Sequence, residues 1–392
     1  MRQEVNSLAC SKGAYMKRRD FLSTGTAIAA STLLSGCNES HREAIDYSKV
    51  KAKKEQKLAS VNFNKNRKVT LKLATSWPAH FPIMGTGVEN YVKRVKDASG
   101  GSIEIKLYPK NTLIPALAVF DAASAGEIDI FHSGPYYWKG KNSAFSLFSG
   151  MPFGMTAEEI NAWMHFGGGY ELWRELYAKH NLYPMLGGNT NIQMGGWFRK
   201  EIKSLDDLSG LKMRVPGLGG EVFSKLGVNP ILLPAGEIYT ALERGVIDAT
   251  EWVGPFLDMK MGFYKVAPYY YSGWHEPGSI LELSFNKTKW QKLSSEHQAI
   301  LEMASEEMNA KMTYEFQAKN ALALSELKNK GVELRSFPAA VIDSAQKALE
   351  EVIATQSLKN VDFDVVYKSA SSFLQASKSF SDVSLKKYLN IR

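Results

Sequence analysis

Leu211-Lys-Met-Arg-Val-Pro-Gly-Leu-Gly-Gly220 is the stretch on which the reading of this chain turns. Leu211 to Val215 is a short β-run that Pro216 and Gly217 stop, because proline has no N–H to give a sheet ladder. A glycine-rich turn follows, and an amphipathic helix is expected from about Glu221. Strand, tight turn and helix in that order belong to an open α/β sheet, which places ligands beyond the carboxyl ends of its strands. Arg214 stands at such an end. Its guanidinium is permanently charged, and its planar fork matches a carboxylate at two points. A solvated arginine at a strand end is the plainer reading, and this stretch alone does not separate the two.

The same rhythm runs to either side. Toward the N-terminus, Val69 to Thr75 alternates apolar and polar residues as a strand does. Gly87 to Ala98 has helical spacing, Ser102 to Tyr108 is a second strand, Pro115 to Ala125 a helix and Asp129 to His132 a third strand. Strand and helix in alternation predict a parallel α/β sheet. Glu158 to Ala178 is helical with an interruption at Gly167-Gly-Gly169, and Leu182 to Gly187 and Ile192 to Arg199 read as extended. Beyond Arg214, Asn229 to Leu233 is a strand and Gly236 to Glu243 a helix, so the α/β pattern runs twice.

One internal echo supports that doubling. Phe120-Asp-Ala-Ala-Ser-Ala-Gly-Glu-Ile-Asp129 aligns without gaps to Tyr239-Thr-Ala-Leu-Glu-Arg-Gly-Val-Ile-Asp248. Each copy is a helix stopped by glycine, then a strand led by Ile-Asp, and each soon reaches Gly-Pro. Chance likeness of two αβ units is the alternative to two equivalent lobes facing a shared cleft.

From Ser295 the chain changes character. Ser295 with Gln298 fits a capping box, Gly331 fits a helix stop, and Ile300, Ala304, Met308, Met312 and Phe316 recur every fourth residue between them. A helix of that length spans roughly 50 Å, so it either braces both lobes or reaches a second subunit. Ala339 to Thr355 is a further helix, and Val361 to Leu389 has no clear pattern.

The N-terminus reads as an address rather than a fold. Lys17-Arg-Arg-Asp-Phe-Leu22 is a twin-arginine signal, and a weakly apolar segment then reaches Leu34-Ser-Gly-Cys37, which resembles a bacterial lipobox. Residues 1–37 are thus expected to be a lipoprotein signal, cleaved so that Cys37 is lipidated and becomes the first residue of the mature chain; the alternative is an ordinary cleavage site near Cys37, and Met16 is an alternative start. Cleavage before Cys37 removes Cys10 and leaves no cysteine pair within one chain. It also lowers the formal charge from +8 to +5, and residues 38–67 then form a flexible, lysine-rich linker. That mild excess reads as a solvated tether, and no nucleic-acid motif accompanies it. No apolar run of 18 or more residues exists to span a bilayer. The 392 residues suffice for two ordinary domains.

Enzyme signatures are missing: there is no His-Glu-x-x-His, Gly-x-Ser-x-Gly, phosphate-loop or Cys-x-x-Cys pattern, and His80 and His275 read as structural. Aromatic, amide and acidic residues instead gather after strands, at Pro135-Tyr-Tyr-Trp138, Asn189 to Gln193, Thr250-Glu-Trp252 and Glu276-Pro-Gly278. Together they offer what a small-anion pocket needs: flat walls, a few polar anchors and one arginine. An acid beside an anionic ligand repels it. A hard cation, Na⁺ or Ca²⁺, bridging carboxylate, amide and main-chain oxygens resolves the conflict, with Glu251, the Trp252 carbonyl, Gln193 and Glu276 as donors. The alternative for Glu251 is a structural ion pair.

Gly195-Gly-Trp-Phe198, Lys212 to Gly220, Asp248-Ala-Thr-Glu-Trp-Val-Gly-Pro255 and His275-Glu-Pro-Gly278 resemble the extracytoplasmic solute receptors of tripartite ATP-independent periplasmic (TRAP) transporters. The likeness is strongest to the subgroup that binds 2-oxo monocarboxylates, or lactate, with a metal ion, and it covers about Val69 to Ala354. It implies a two-lobed α/β periplasmic-binding-protein fold with its cleft between the lobes. Residues 68–190 would form mainly the first lobe, 191–285 mainly the second with a crossover back, and 286–392 the long helix and bracing helices. It implies that Arg214 pairs with the ligand carboxylate, that Gln193 and Tyr137 contact the ligand, and that Gln193, Glu251, the Trp252 carbonyl and Glu276 surround Na⁺ or Ca²⁺. It implies a periplasmic receptor that serves a membrane permease, is often dimeric through exchange of a long C-terminal helix, and catalyses nothing. The leader departs from a freely diffusing receptor and points to a tethered one. Two other classes fit the same residues: a metal-assisted lyase or hydrolase with Glu251 as base, and a ligand-reporting subunit of a sensor.

Overall fold

The structure is a computed structural model, and it describes residues 68–392. The leader, Cys37 and the linker lie outside the described residues. In chain order, β1 (Val69–Thr75), α1 (Met84–Ala98), β2 (Ile103–Tyr108), α2 (Val119–Ala125) and β3 (Ile130–Ser133) come first. A 3-10 turn at Pro135–Trp138, α3 (Phe145–Ser149), α4 (Ala157–Phe166), α5 (Gly169–Ala178) and β4 (Leu182–Asn189) follow. The chain then passes into β5 (Gly196–Phe198), β6 (Lys212–Arg214), α6 (Gly217–Lys225), β7 (Asn229–Ile231), α7 (Ala235–Glu243), β8 (Ala249–Thr250), α8 (Pro255–Met261) and β9 (Tyr269–Tyr271). It returns through β10 (Ile280–Asn286) and α9 (Lys287–Trp290) to α10 (Ser295–Asn329), β11 (Glu333–Arg335), α11 (Ala339–Lys359), α12 (Val361–Val383) and α13 (Leu385–Leu389).

Two sheets result, in the orders β2-β1-β3-β10-β4 and β11-β9-β5-β8-β6-β7. They correct the expectation of purely parallel sheets. In the first, β10 runs against both β3 and β4. In the second, β5 runs against β8 and β9. The cause is connectivity. β4 leaves the first sheet at its carboxyl end and β10 comes back there, so the returning strand must run the other way. β5, arriving from the first sheet, enters the second in the same reversed sense.

The internal echo is reproduced in hydrogen bonds. Lys72 N–H donates to Asp129 Oδ2 at 2.8 Å while Asp129 N–H donates to the Lys72 carbonyl at 3.0 Å. In the second sheet Lys212 N–H donates to Asp248 Oδ2 at 3.0 Å and Asp248 N–H to the Lys212 carbonyl at 2.7 Å. Each Ile-Asp aspartate therefore locks a strand start to its neighbour's backbone, and the strand beyond it is delivered to the cleft in one register.

Two helix starts differ from the sequence reading. α6 begins at Gly217 rather than near Glu221, with Pro216 as its N-cap. The glycines are inside the helix because larger residues would not fit: a Cβ at Gly219 would lie 3.3 Å from His275 Cβ, and one at Gly220 2.8 Å from the Val215 carbonyl. α10 is capped by Ser294, whose hydroxyl accepts from His297 N–H, not by Ser295. Gln298 instead donates to the Trp290 carbonyl at 2.8 Å, which removes it from any capping box. The stop at Gly331 is as read, with φ +82°.

α10 packs on α1 and β4 of the first sheet's side and on α8 of the second's. It is thus a brace across both halves of one chain. α11 lies on α6, and α12 on α3, α4 and α5. α12 escaped the sequence reading because only Phe363, Val366 and Ala370 of its residues are buried, leaving a thin apolar stripe among serines and lysines.

Candidate functional site

Strand ends from both sheets deliver the side chains. β6 ends at Arg214, which is buried to 1% exposure, and Pro216 turns the chain away behind it. β8 ends at Thr250 and presents Glu251 and Trp252. The loop after β3 brings Tyr136 and Tyr137, the loop after β4 brings Gln193, and the segment between β9 and β10 brings His275 and Glu276. Gln193, Glu251 and His275 are buried to 1% exposure or less, and Glu276 to 6%.

Arg214 is tightly tied. Nη1 donates to the Glu251 carboxylate through Oε1 and to the Glu251 carbonyl at 3.1 Å. Nε donates to the Leu233 carbonyl at 3.3 Å and Nη2 to the Tyr137 hydroxyl at 3.4 Å. The guanidinium also lies 5.0 Å over the Trp252 ring, a cation–π contact that burial strengthens. The ion pair with Glu251 is therefore present, as the alternative reading of that glutamate held. Burial lowers the affinity of Arg214 for its proton, but the negative charge of Glu251, with Tyr137, Tyr136 and Glu276 adding to it, carries the net shift upward.

His275 stands on the other side of Glu251, Nε2 3.3 Å from Oε2. Burial pulls the His275 pKa down, yet the contact with Glu251 and its charge carry it above the ordinary value. Glu276 is driven up to about 7, first by burial and then by the charge of Glu251. Burial also raises the Tyr137 phenol, against the pull of Arg214. His80, the other histidine weighed, is exposed and pairs with Glu89 at 3.0 Å, away from the site.

Several buried polar atoms have no hydrogen-bond partner among the described residues: Gln193 Oε1, Glu276 Oε2, His275 Nδ1 and the Trp252 Nε1. Unpaired buried oxygens of this kind are costly. Two acceptors without donors, one amide and one carboxylate, fit a hard cation, which takes oxygen ligands of mixed type. Among the described residues no group of three or more His, Cys, Asp or Glu side chains is set to hold a metal ion by itself, so such a site would need the amide and main-chain oxygens. Two carboxylates already face one guanidinium. An incoming organic anion would add further negative charge, which a bound cation would offset.

Backbone bonds join these segments. Gln193 N–H donates to the Glu276 carbonyl at 3.0 Å, Met194 N–H to the Val253 carbonyl at 3.0 Å and Glu251 N–H to the Arg214 carbonyl at 3.1 Å. Beside the site a cavity of about 270 Å³ opens between Tyr136 and Tyr137 on one side and Val215 to Gly217 on the other. Lys139 bridges its two sides, with Nζ 2.9 Å from Glu221 Oε1.

Trp77 was absent from the sequence reading and belongs here. It follows β1 and meets Trp252 edge to face at 6.4 Å between centroids, and Tyr137 at 6.4 Å. Its Nε1–H donates to His132 Nδ1 at 2.7 Å, and His132 Nε2 lies 2.9 Å from the Gly187 carbonyl. Burial lowers the His132 pKa to about 4, so the ring stays neutral and holds Trp77 as an acceptor. The rule that picked out aromatics after strands applies equally to Ser76-Trp77-Pro78. His275 was set aside as structural because an isolated histidine carries no ligand spacing.

The model of the family described as bacterial extracellular solute-binding protein, family 7, matches residues 73–360. The chain is 38% identical, over 96% of its length and 98% of the relative's, to a monocarboxylate 2-oxoacid-binding periplasmic protein of Nostoc sp.. Among solved structures it resembles a TRAP periplasmic solute-binding protein from Colwellia psychrerythraea with bound calcium and pyruvate. That likeness has a TM-score of 0.81 and 41% identity, covering 83% of this chain and all of the other. It likewise resembles one from Pseudoalteromonas atlantica T6c with bound sodium and pyruvate, at TM-score 0.81 and 40% identity, covering 82% of this chain and 99% of that one.

Proposed function

The chain belongs to family 7 of the bacterial extracellular solute-binding proteins, and on that premise we propose that the site seats a small 2-oxo monocarboxylate, pyruvate or an acid of its kind, together with a hard cation. The protein is a receptor of the TRAP type with a permease for its partner, and the family's members bind solutes rather than transform them. This reading sets the lyase alternative aside. The observation that carries it is the juxtaposition of one buried guanidinium with the unpaired oxygens of Gln193 and Glu276. Arg214 and Tyr137 would take the ligand carboxylate. Glu251, the Trp252 carbonyl, Gln193 and Glu276 would hold sodium or calcium, which supplies positive charge beside the acid's oxygens. Residues 68–190 and 191–285 would close on the ligand as two lobes, since the ligand gains contacts to both only in the closed form.

Three further points belong to the same reading. The leader would send the folded chain through the twin-arginine route to the periplasm. Cys37 would anchor it by lipid, so that Cys37→Ser releases it from the membrane fraction. The exposed apolar residues of the C-terminal helices, Phe380, Val383, Leu385 and Tyr388 among them, would be covered in a homodimer, which sedimentation equilibrium reads directly.

Isothermal titration with pyruvate tests the site. One binding event per chain is expected, weakened about tenfold or more when calcium and sodium are withdrawn. Arg214→Ala should lower affinity by at least about 100-fold, because a buried carboxylate left without its partner costs roughly 3–5 kcal/mol. Tight pyruvate binding by a folded Arg214→Ala protein would refute the assignment.

A further inference from the structure

The loop that carries Glu251 and Trp252 is held by a residue with no direct place in the site. Asp258, on α8, is buried to 1% exposure. Its Oδ1 accepts the N–H groups of Val253 at 3.2 Å and Gly254 at 3.1 Å. Its Oδ2 accepts the Trp197 indole N–H at 3.0 Å and the Tyr270 hydroxyl at 2.8 Å. Four donors thus converge on one carboxylate, and the two rings that supply half of them are stacked with centroids 3.9 Å apart. Asp258 is anchored by the second sheet on one oxygen and grips the loop with the other.

The consequence follows from the planarity of the peptide unit. The Val253 N–H and the Trp252 carbonyl belong to the same trans amide and point in opposite directions. Fixing the N–H on Asp258 fixes the carbonyl on the far side. The next amide is fixed as well: Gly254 N–H goes to Asp258 while the Val253 carbonyl accepts from Met194 N–H, next to Gln193. On the other flank, Glu251 N–H is tied to the Arg214 carbonyl. Trp252 is therefore a single peptide step held at both ends, its carbonyl aimed by a bond made behind it.

We propose that Asp258 is the positioning residue of the cation site: by holding the Val253 and Gly254 amides on a carboxylate anchored to Trp197 and Tyr270, it aims the Trp252 carbonyl at the bound cation. The proposal rests on the reading of the site given above. Asp258 does not touch the cation, because both of its oxygens are already filled by donors. An outer partner of this kind typically tunes metal affinity by 10–100-fold.

The experiment is a calcium titration of pyruvate binding, followed by calorimetry on protein stripped of metal by a chelator. Tryptophan fluorescence during addition of calcium alone serves as a second readout. Asp258→Asn keeps the size but turns one acceptor into a donor. The calcium concentration needed for half-maximal pyruvate binding should rise about 10-fold or more, while affinity for pyruvate at saturating calcium stays within about threefold of wild type. A purely structural role would lower the thermal transition and weaken pyruvate binding alike at every calcium concentration. If Asp258→Asn does not fold, Asp258→Glu, which keeps the charge and moves it by one methylene, is measured in the same way with the same direction expected. A folded variant with wild-type calcium dependence overturns the proposal. Wild-type protein that binds pyruvate without regard to calcium or sodium would remove the cation site itself, and Asp258's role with it.

Discussion

Glu282 shows what burial does to a single carboxyl group in this protein. It is fully buried on β10, where Oε1 accepts the Trp138 indole N–H at 2.6 Å and Oε2 accepts the Ser284 hydroxyl at 2.5 Å. No cation faces it in those bonds, and desolvation raises its pKa to about 7. A folded-state pKa above the unfolded one means that the folded chain holds the proton more tightly. The stabilising contribution is complete below the unfolded value near 4.5 and is lost as pH rises to about 7. Glu282→Gln keeps an acceptor for Trp138 without a charge to bury. It should stabilise the protein at pH 8 by about 2–3 kcal/mol relative to wild type and by almost nothing at pH 4, as urea unfolding at the two pH values would read. An equal effect at both would exclude the charge as the cause. At this scale the sequence was legible where chemistry is stereotyped. Arg214 before Pro216 and Glu251 before Trp252 stand out as charges at strand ends. Asp258 and His275 do not, because their meaning lies in which distant groups reach them, Trp197 from 61 residues away in one case and Glu251 from 24 in the other.

α10 is the element that decides whether the two sheets act as one body. Its buried residues run from His297 and Ile300 through Met312 and Phe316 to Leu327, and they change partner along its length, from α1 and β4 to α8. Phe316 is wholly buried in the cluster that also holds Trp77, Trp252 and Leu257. Phe316→Ala should cost about 3–5 kcal/mol, the range for large aromatic deletions in a core, read as a shift of the urea midpoint with an unchanged slope. A loss below about 1 kcal/mol would mean that the helix is not seated as described. α10, α11 and the strands β1, β2 and β4 were legible because a period of 3.6 or 2 needs several repeats to show. β9 and β11 are three residues long and carry too little pattern. β9 is Tyr-Tyr-Tyr, without alternation. The start of α6 was missed for the opposite reason, since its glycines argue against a helix locally and only the neighbouring backbone and His275 explain them.

On the scale of the whole molecule, the two sheets are joined by segments of chain that leave one and enter the other, from β4 to β5 and from β9 to β10. The resemblance stated from four short motifs is borne out by the family match along residues 73–360, while the antiparallel insertion of β5 and β10 was not legible, because hydrophobic pattern reports burial and not strand direction. That insertion has a bearing on how the chain is made. Before residue 280 leaves the ribosome, β3 and β4 have no strand between them, since among the described residues β10 is the strand through which they join. A nascent chain ending at Asn189 already holds most of the first sheet yet carries two open ladders, and roughly five to twenty seconds of translation separate it from the strand that fills them at bacterial elongation rates. During that interval the first half keeps unpaired strand edges open, and the centre of its sheet is closed only by a piece of the chain's own second half.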